Sequence, residues 1–428
     1  MHITPRQLVY LYVALVILEG PLRKWVLPGS LGSFVAISRD PIALYLVWHG
    51  IRLGLFRPGW LRTLWLLTSA ALAVGGLLSM FTSDVPLAVW AFGLRTNCLH
   101  FPLILIIPAL IEPSDLDKLL RRLLMLALPI ALLMVWQYRS PIDSFINSSA
   151  LEGVSQLYAV EGKVRPPGPF TYNTGASEYF ALINAFLFGG LVDRRLSVPW
   201  LIYGLSSTML AVSVSGSRLM MATLAVVWFG ALGTSQLRDF RIPSPRILLG
   251  VLGVATVLVL LISTTPLGST INEGWSTTSD RLESANKTDG GVLSRAITAM
   301  TVPERILWQS PVIGYGLGLG TNFGAKAISG EVGFALAESE FERLILESGL
   351  MVAGLFLVMR WCFGGHVITK AWQAIGRNQR LPVGLCFANI VPMMVGQIAR
   401  PTSMGFVVLC MAFSLVAAKA SRHSAPSI

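Results

Sequence analysis

Apolar residues run through this chain in long continuous stretches, not in the weak alternating segments of about 10 residues that mark a membrane β-barrel. Each stretch approaches the roughly 20 residues that a helix needs to cross a bilayer core. The pattern predicts spans near 7–20, 33–55, 61–81, 88–110, 119–138, 174–192, 198–215, 217–234, 246–265, 344–363, 381–398 and 400–419. Arg39 and Asp40 interrupt the second of these. The expected fold is all-α: a polytopic membrane protein of about twelve transmembrane helices, forming a single transmembrane domain over residues 1–428.

Polar residues gather in two places between the spans. One loop covers about 139–173, and a much longer one covers 266–343, immediately before the tenth span. Most other connections are far shorter. The long loop carries charge up to the membrane surface, ending in Ala337-Glu338-Ser339-Glu340-Phe341-Glu342-Arg343 and continuing to Glu347-Ser348-Gly349. That is where a polytopic enzyme would build a site. Within the loop, Ser294 to Gln309 reads as one or two short helices broken at Pro303.

Composition narrows the class. The chain is 54% hydrophobic and 13% charged, against about 25% charged in average globular chains, with mean hydropathy +0.65. A net charge of +11 raises the question of nucleic acid, and its placement argues against that. With the N-terminus in the cytoplasm, the inside connections hold Arg52, Arg57 and Arg62; Lys118, Arg121 and Arg122; Arg194 and Arg195; Arg238, Arg241 and Arg246; and Lys370, Arg377 and Arg380. The tail adds Lys419 and Arg422, whereas the short outside connections hold only Arg23, Lys24, Arg218 and Arg400. This is the positive-inside pattern. It places both termini in the cytoplasm and both long loops outside. Cys98, Cys362, Cys386 and Cys410 all fall in predicted spans, with neither a disulfide framework nor metal spacing. The first apolar run lacks a small-residue cleavage site, so it is expected to remain as the first span.

Several residues could carry chemistry. Gly314, Gly316, Gly318 and Gly320 alternate without the βαβ context of a dinucleotide fingerprint. They either cradle a phosphate or let backbone pass close to a neighbour. Arg165, Arg218 and Arg295 stand at or near the outer face, with Arg305 a fourth. Each is either an interfacial snorkelling residue or part of a guanidinium cluster for a phosphorylated lipid, since the planar fork binds phosphate bidentately. Arg39 and Arg95 lie within spans, where an arginine costs about 2.5–3.5 kcal/mol at a helix centre. Arg39 has Asp40 beside it, and Arg95 reads as structural or as lining a polar cavity. If 335–363 is one helix, Glu338 and Glu342 share a face, and Glu340, Arg343 and Glu347 share another at ion-pair spacing. Acids near a helix start also suit its dipole, but Glu347 lies deeper and needs a partner, for which Arg343 is the obvious choice. That leaves Glu338 first and Glu340 second as a general base facing outward. No histidine falls in an outer loop, which argues against zinc hydrolase chemistry or a histidine triad there.

These residues resemble the O-antigen ligase and Wzy-type polysaccharide polymerase family of bacterial envelopes. The architecture is similar, and so are several short motifs: Ser215-Gly216-Ser217-Arg218, Arg165-Pro166-Pro167-Gly168-Pro169-Phe170, Pro311-Val312-Ile313-Gly314-Tyr315-Gly316, and the run from Glu338 to Gly349. The family pattern has His where this chain has Glu338, and Gly349 is followed by Gly354 in a looser pair. Those departures favour a polymerase over a ligase. The resemblance implies a GT-C-like fold in the bacterial inner membrane and a metal-independent, inverting glycosyl transfer that uses no cofactor. The donor would be a polyprenyl-diphosphate-linked glycan, the acceptor a glycan hydroxyl, and other polysaccharide-assembly proteins possible partners. Arg165, Arg218, Arg295 and Arg305 would hold the diphosphate and Glu338 or Glu340 would take the proton. A ligase, a flippase of lipid-linked oligosaccharide and a non-catalytic membrane scaffold are the competing readings.

Overall fold

The computed structural model describes residues 3–150, 164–193, 195–236, 304–330 and 339–419, with short pieces at 268–269, 272–276, 279 and 336–337. Among these residues the chain is all-helical, with no β-strand. Five helices are long and apolar enough to cross a membrane, or six if one bent pair counts as a single span.

The helices follow the apolar stretches closely. In order they are α1 (Pro5–Pro21), α2 (Ser30–Ala36), α3 (Asp40–Arg52), α4 (Gly59–Ser83), α5 (Leu87–Leu94) and α6 (Leu103–Leu110). Then come α7 (Pro113–Met125), α8 (Ala127–Arg139), α9 (Asn173–Val192), α10 (Val198–Ser215), α11 (Arg218–Ala225) and α12 (Ala231–Gln236). The long-loop region supplies α13 (Glu304–Gln309) and α14 (Asn322–Ser329), followed by α15 (Glu340–Ile375), α16 (Leu381–Val395) and α17 (Pro401–Ala417). The stretch expected at 246–265 lies outside the described residues.

Differences from the expected spans have local causes. The interrupted second stretch splits into α2 and α3 at the polar Ser38-Arg39-Asp40 segment. The stretch at 88–110 bends by 50° between Leu99 and Leu103, where Pro102 cannot donate to a helical ladder. α16 breaks at Asn389 (φ −137°, ψ 18°), three residues before Pro392, the ordinary position for a proline kink. The helix expected over 335–363 does not run straight. It starts at Glu340, capped by the Ser339 side chain accepting from the Glu342 N–H at 3.2 Å, and it breaks at Gly349.

One apolar core runs from Val9 to Ala417. α9 and α17 are its most enclosed helices, packed against α16 and α6. At one end of the bundle, Asp193 just after α9 accepts from the backbone N–H groups of Arg380 and Leu381 at 3.0 Å, capping α16. At the other end, residues from the loops and from α1 and α17 converge.

Candidate functional site

The glycine run is fixed by α15. Tyr315 donates its backbone N–H to the Leu346 carbonyl at 2.7 Å, and Gly316 donates to that of Glu347 at 3.1 Å. The two chains approach so closely that a Cβ on Gly349 would collide with the Val312 carbonyl oxygen. Its φ of +74° also favours glycine. Gly318 likewise lies against Gly93 and the Val89 carbonyl of α5. Of the two sequence readings, close backbone passage is therefore the one these glycines carry out.

The break at Gly349 folds the start of α15 back on its remainder. Glu340 and Arg360 are 20 residues apart, about 30 Å in a straight helix, yet Arg360 Nη1 donates to Glu340 Oε1 at 3.0 Å. Arg343 donates to Glu340 (Nε to Oε2, 2.9 Å) and to Glu347 (Nη1 to Oε2, 2.7 Å), and its Nη2 reaches Asn97 Oδ1 at 3.2 Å. Glu347 Oε1 accepts the Gly320 N–H at 2.7 Å, which ties the glycine run to the same group. Arg360 also caps the Met393, Pro392 and Gly396 carbonyls at the end of α16. All four side chains are buried, and two carboxylates balance two guanidiniums. The expected Arg343–Glu347 pair is present.

A second buried cluster is not balanced. Glu19 accepts from Arg23 at 3.1 Å and from Arg39 at 2.8 Å, and Arg39 also donates to the Pro401 carbonyl at 2.7 Å. Two guanidiniums thus share one carboxylate. The Arg23 Nε and the Arg39 Nε and Nη1 are buried without a hydrogen-bond partner among the described residues. Arg39 does not use the adjacent Asp40. Asp40 turns instead to Arg95, whose Nη2 donates to it at 3.0 Å, and to His100, so Arg95 is a structural ion-pair partner.

Between these clusters lies a cavity of about 350 Å³. Its polar wall is made by Glu19, Arg23, Lys326, Arg343 and Arg400, with Tyr172 and Thr171 from the first loop. The Arg400 guanidinium packs 5.3 Å from the centre of the Tyr172 ring, and Asn322 Nδ2 donates to the Tyr172 hydroxyl at 2.9 Å. Burial pushes the Tyr172 phenol above its ordinary pKa, with Arg400 pulling the other way. It stays protonated near neutrality and can donate into the cavity. The lining also has an apolar part: Phe34 of α2 and Ile37 just after it are exposed, and Phe92 stacks on Phe323 at 4.8 Å. An anion with an apolar tail is the ligand such walls suit. Among the described residues, no group of His, Cys, Asp and Glu could hold a metal ion.

The residues picked from sequence are only partly brought together. Glu340 is buried in the balanced cluster, not facing outward, because both its oxygens are taken by arginines. Glu338 and Arg295 lie outside the described residues, and Arg305 is in α13. Arg165 and Arg218 do not line the cavity. Arg218 begins α11, which packs on α9; the preceding Gly216 and Ser217 close α10 and cap α11, Ser217 accepting from Met220 N–H at 3.3 Å. The proline-rich segment has an anchoring role. The Gly168 carbonyl accepts from Lys24 at 3.2 Å and from Gln137 at 3.0 Å.

Sequence reasoning missed Arg23, Lys326 and Arg400. Arg23, beside Lys24, and Arg400 read in sequence only as sparse charges of short outer links, and nothing local marks either as part of a cavity wall. No known protein-family model matches the chain, and no curated protein does.

Proposed function

We propose that this protein is a glycosyltransferase of the bacterial inner membrane that acts at the outer face on a polyprenyl-diphosphate-linked glycan. One observation carries the reading. The cavity is lined by Arg23, Lys326 and Arg400, its lining also includes the apolar Phe34, Ile37 and Phe92, and Arg23 belongs to a buried group in which two guanidiniums share one carboxylate. The diphosphate would sit on the cations, and the polyprenyl chain would leave across Phe34 and Ile37. The resemblance in motif order supports a polymerase in this setting, with twelve spans, a GT-C-like arrangement and both termini in the cytoplasm as parts of the same proposal.

The chemistry follows from the parts. The acceptor hydroxyl oxygen attacks the anomeric carbon as the bond from that carbon to the diphosphate oxygen breaks, inverting the centre. The departing diphosphate takes the electron pair, and the arginines and Lys326 offset its growing charge. The hydroxyl proton goes to a carboxylate. Glu340 is committed to two arginines, so Glu338 is the base in this proposal. Purified protein in liposomes with an undecaprenyl-diphosphate-linked glycan should lengthen the glycan and release the lipid diphosphate. Donor consumption by the wild type equal to that of protein-free liposomes would overturn the reading.

A second reading rests on a different feature. α16 is broken at Asn389, whose Oδ1 is buried without a partner among the described residues, as is Oε2 of Glu178 on α9. Broken helices with intramembrane polar groups are found in transporters. Movement of a fluorescent lipid-linked glycan across the bilayer without glycan lengthening would favour a flippase.

A further inference from the structure

A basic basin opens beside the start of α4, about 26 Å of helix rise from Gly76, which packs against Leu317 of the glycine run. It therefore lies at the end of the bundle away from the cavity. Its wall carries Arg57, Arg62, His366 and Lys370, and among the described residues no carboxylate lines it. Arg57 Nε donates to the Gly54 carbonyl at 3.1 Å, which holds that guanidinium at the rim. The side chains of Arg62, His366 and Lys370 have no hydrogen-bond or ion-pair partner among the described residues. Phe56 forms a rigid buried floor, packed on Trp65 and Phe363 at ring-centre distances of 5.7 and 6.3 Å.

Like charges gathered on a fixed floor repel one another, and here no acid offsets them. The surroundings indicate the counter-ion. Trp60 and Trp372 are exposed on α4 and α15, which build the basin, and Leu53 is exposed beside it. Exposed tryptophan at helix ends marks the headgroup level of a bilayer, where basic pockets between helices bind anionic headgroups.

We propose that this basin binds the phosphate headgroup of an anionic phospholipid, its acyl chains lying along the Leu53 and Trp60 side. The full chain in neutral detergent would be titrated with short-chain phosphatidylglycerol, with phosphatidylcholine and inorganic phosphate as separate arms, and bound lipid counted by native mass spectrometry. Wild type should prefer phosphatidylglycerol, and K370Q, R62Q and R57Q should each lose about fivefold in affinity. K118Q/R122Q, in an exposed basic patch elsewhere, should behave as wild type. Equal affinity in the single variants overturns the proposal. Equal losses in K118Q/R122Q also overturn it, showing diffuse attraction instead of a site. Competition by inorganic phosphate as strong as that by the lipid would make it a free-phosphate site. All these positions are at least partly exposed, and unchanged thermal unfolding would confirm intact variants.

Discussion

Glu340 and Arg360 meet at 3.0 Å although 20 residues separate them on α15. The contact exists because Gly349 turns the first part of the helix back, so the segment that leaves the long loop packs beside its own continuation. The polar start of α15 thus becomes an interior wall, with Arg343 lining the cavity. The carboxylates Glu340 and Glu347 here are framework, each held by buried arginines.

Replacing Glu340 by Gln should therefore act on stability before chemistry. It removes the charge shared by Arg343 and Arg360 and leaves two buried guanidiniums under-compensated, a cost of about 3–5 kcal/mol for breaking a buried pair. Thermal unfolding in detergent should show a large drop. A variant with wild-type stability but no glycan transfer would return Glu340 to the chemistry.

Glu338→Gln should show the opposite pattern. It keeps shape and hydrogen bonding while removing basicity, so glycan transfer should be abolished with donor binding and thermal stability near wild type. Glu338→His restores the residue of the resembling family and should retain some transfer. Full transfer by the Gln variant would remove this residue as the base.

Arg400→Gln and Lys326→Gln should weaken binding of a polyprenyl diphosphate about ten- to a hundred-fold each, the range for losing a hydrogen bond to a charged group. Arg218→Lys, outside the cavity, should bind as wild type. Isothermal titration with the diphosphate and with the matching monophosphate reads both. Loss in Arg218→Lys with none in Arg400→Gln would move the anion site to α11.

Gly349→Ala should destabilise the protein, since a non-glycine residue at that φ costs about 1–3 kcal/mol and the added methyl meets the Val312 carbonyl. Loss of the fold-back would also free Arg360 from Glu340. Unfolding at the wild-type temperature would show that the turn tolerates a side chain.

Single cysteines at Ser155 and Ser284, in a background without the native cysteines, should label with an impermeant thiol reagent in intact cells. Labelling of either only after lysis would reverse the proposed orientation of the chain.

Helix positions were legible because an apolar run is a local property, although of the twelve spans expected only five or six described helices are long and apolar enough to cross a membrane. The predicted 198–215 coincides with α10, and 174–192 differs from α9 by one residue. The site was less legible because it depends on which distant residues meet. Spacing paired Arg343 with Glu347, a contact within one turn, yet spacing alone offered Asp40 to Arg39 when the true partner is Glu19, 20 residues away. The straight helix assumed over 335–363 hid the burial of Glu340, because one left-handed glycine decides the direction of everything before it. Arg23 and Arg400 stand at nearly opposite ends of the chain, and no window of sequence contains both.

The Arg39 hydrogen bond to the Pro401 carbonyl gives the protein a birth order. α1, α2 and α3 leave the ribosome first, with Glu19, Arg23 and Arg39 able to pair among themselves. The acceptor that completes the group arrives only with α17, on the order of tens of seconds later at ordinary synthesis rates. During that interval Arg39 lacks one of its hydrogen-bond acceptors, although the charge balance of the group is already set. A chain that stops short of Pro401 would leave that donor unmatched, and would present quality-control proteases with an unfinished polar patch as a mark of incompleteness.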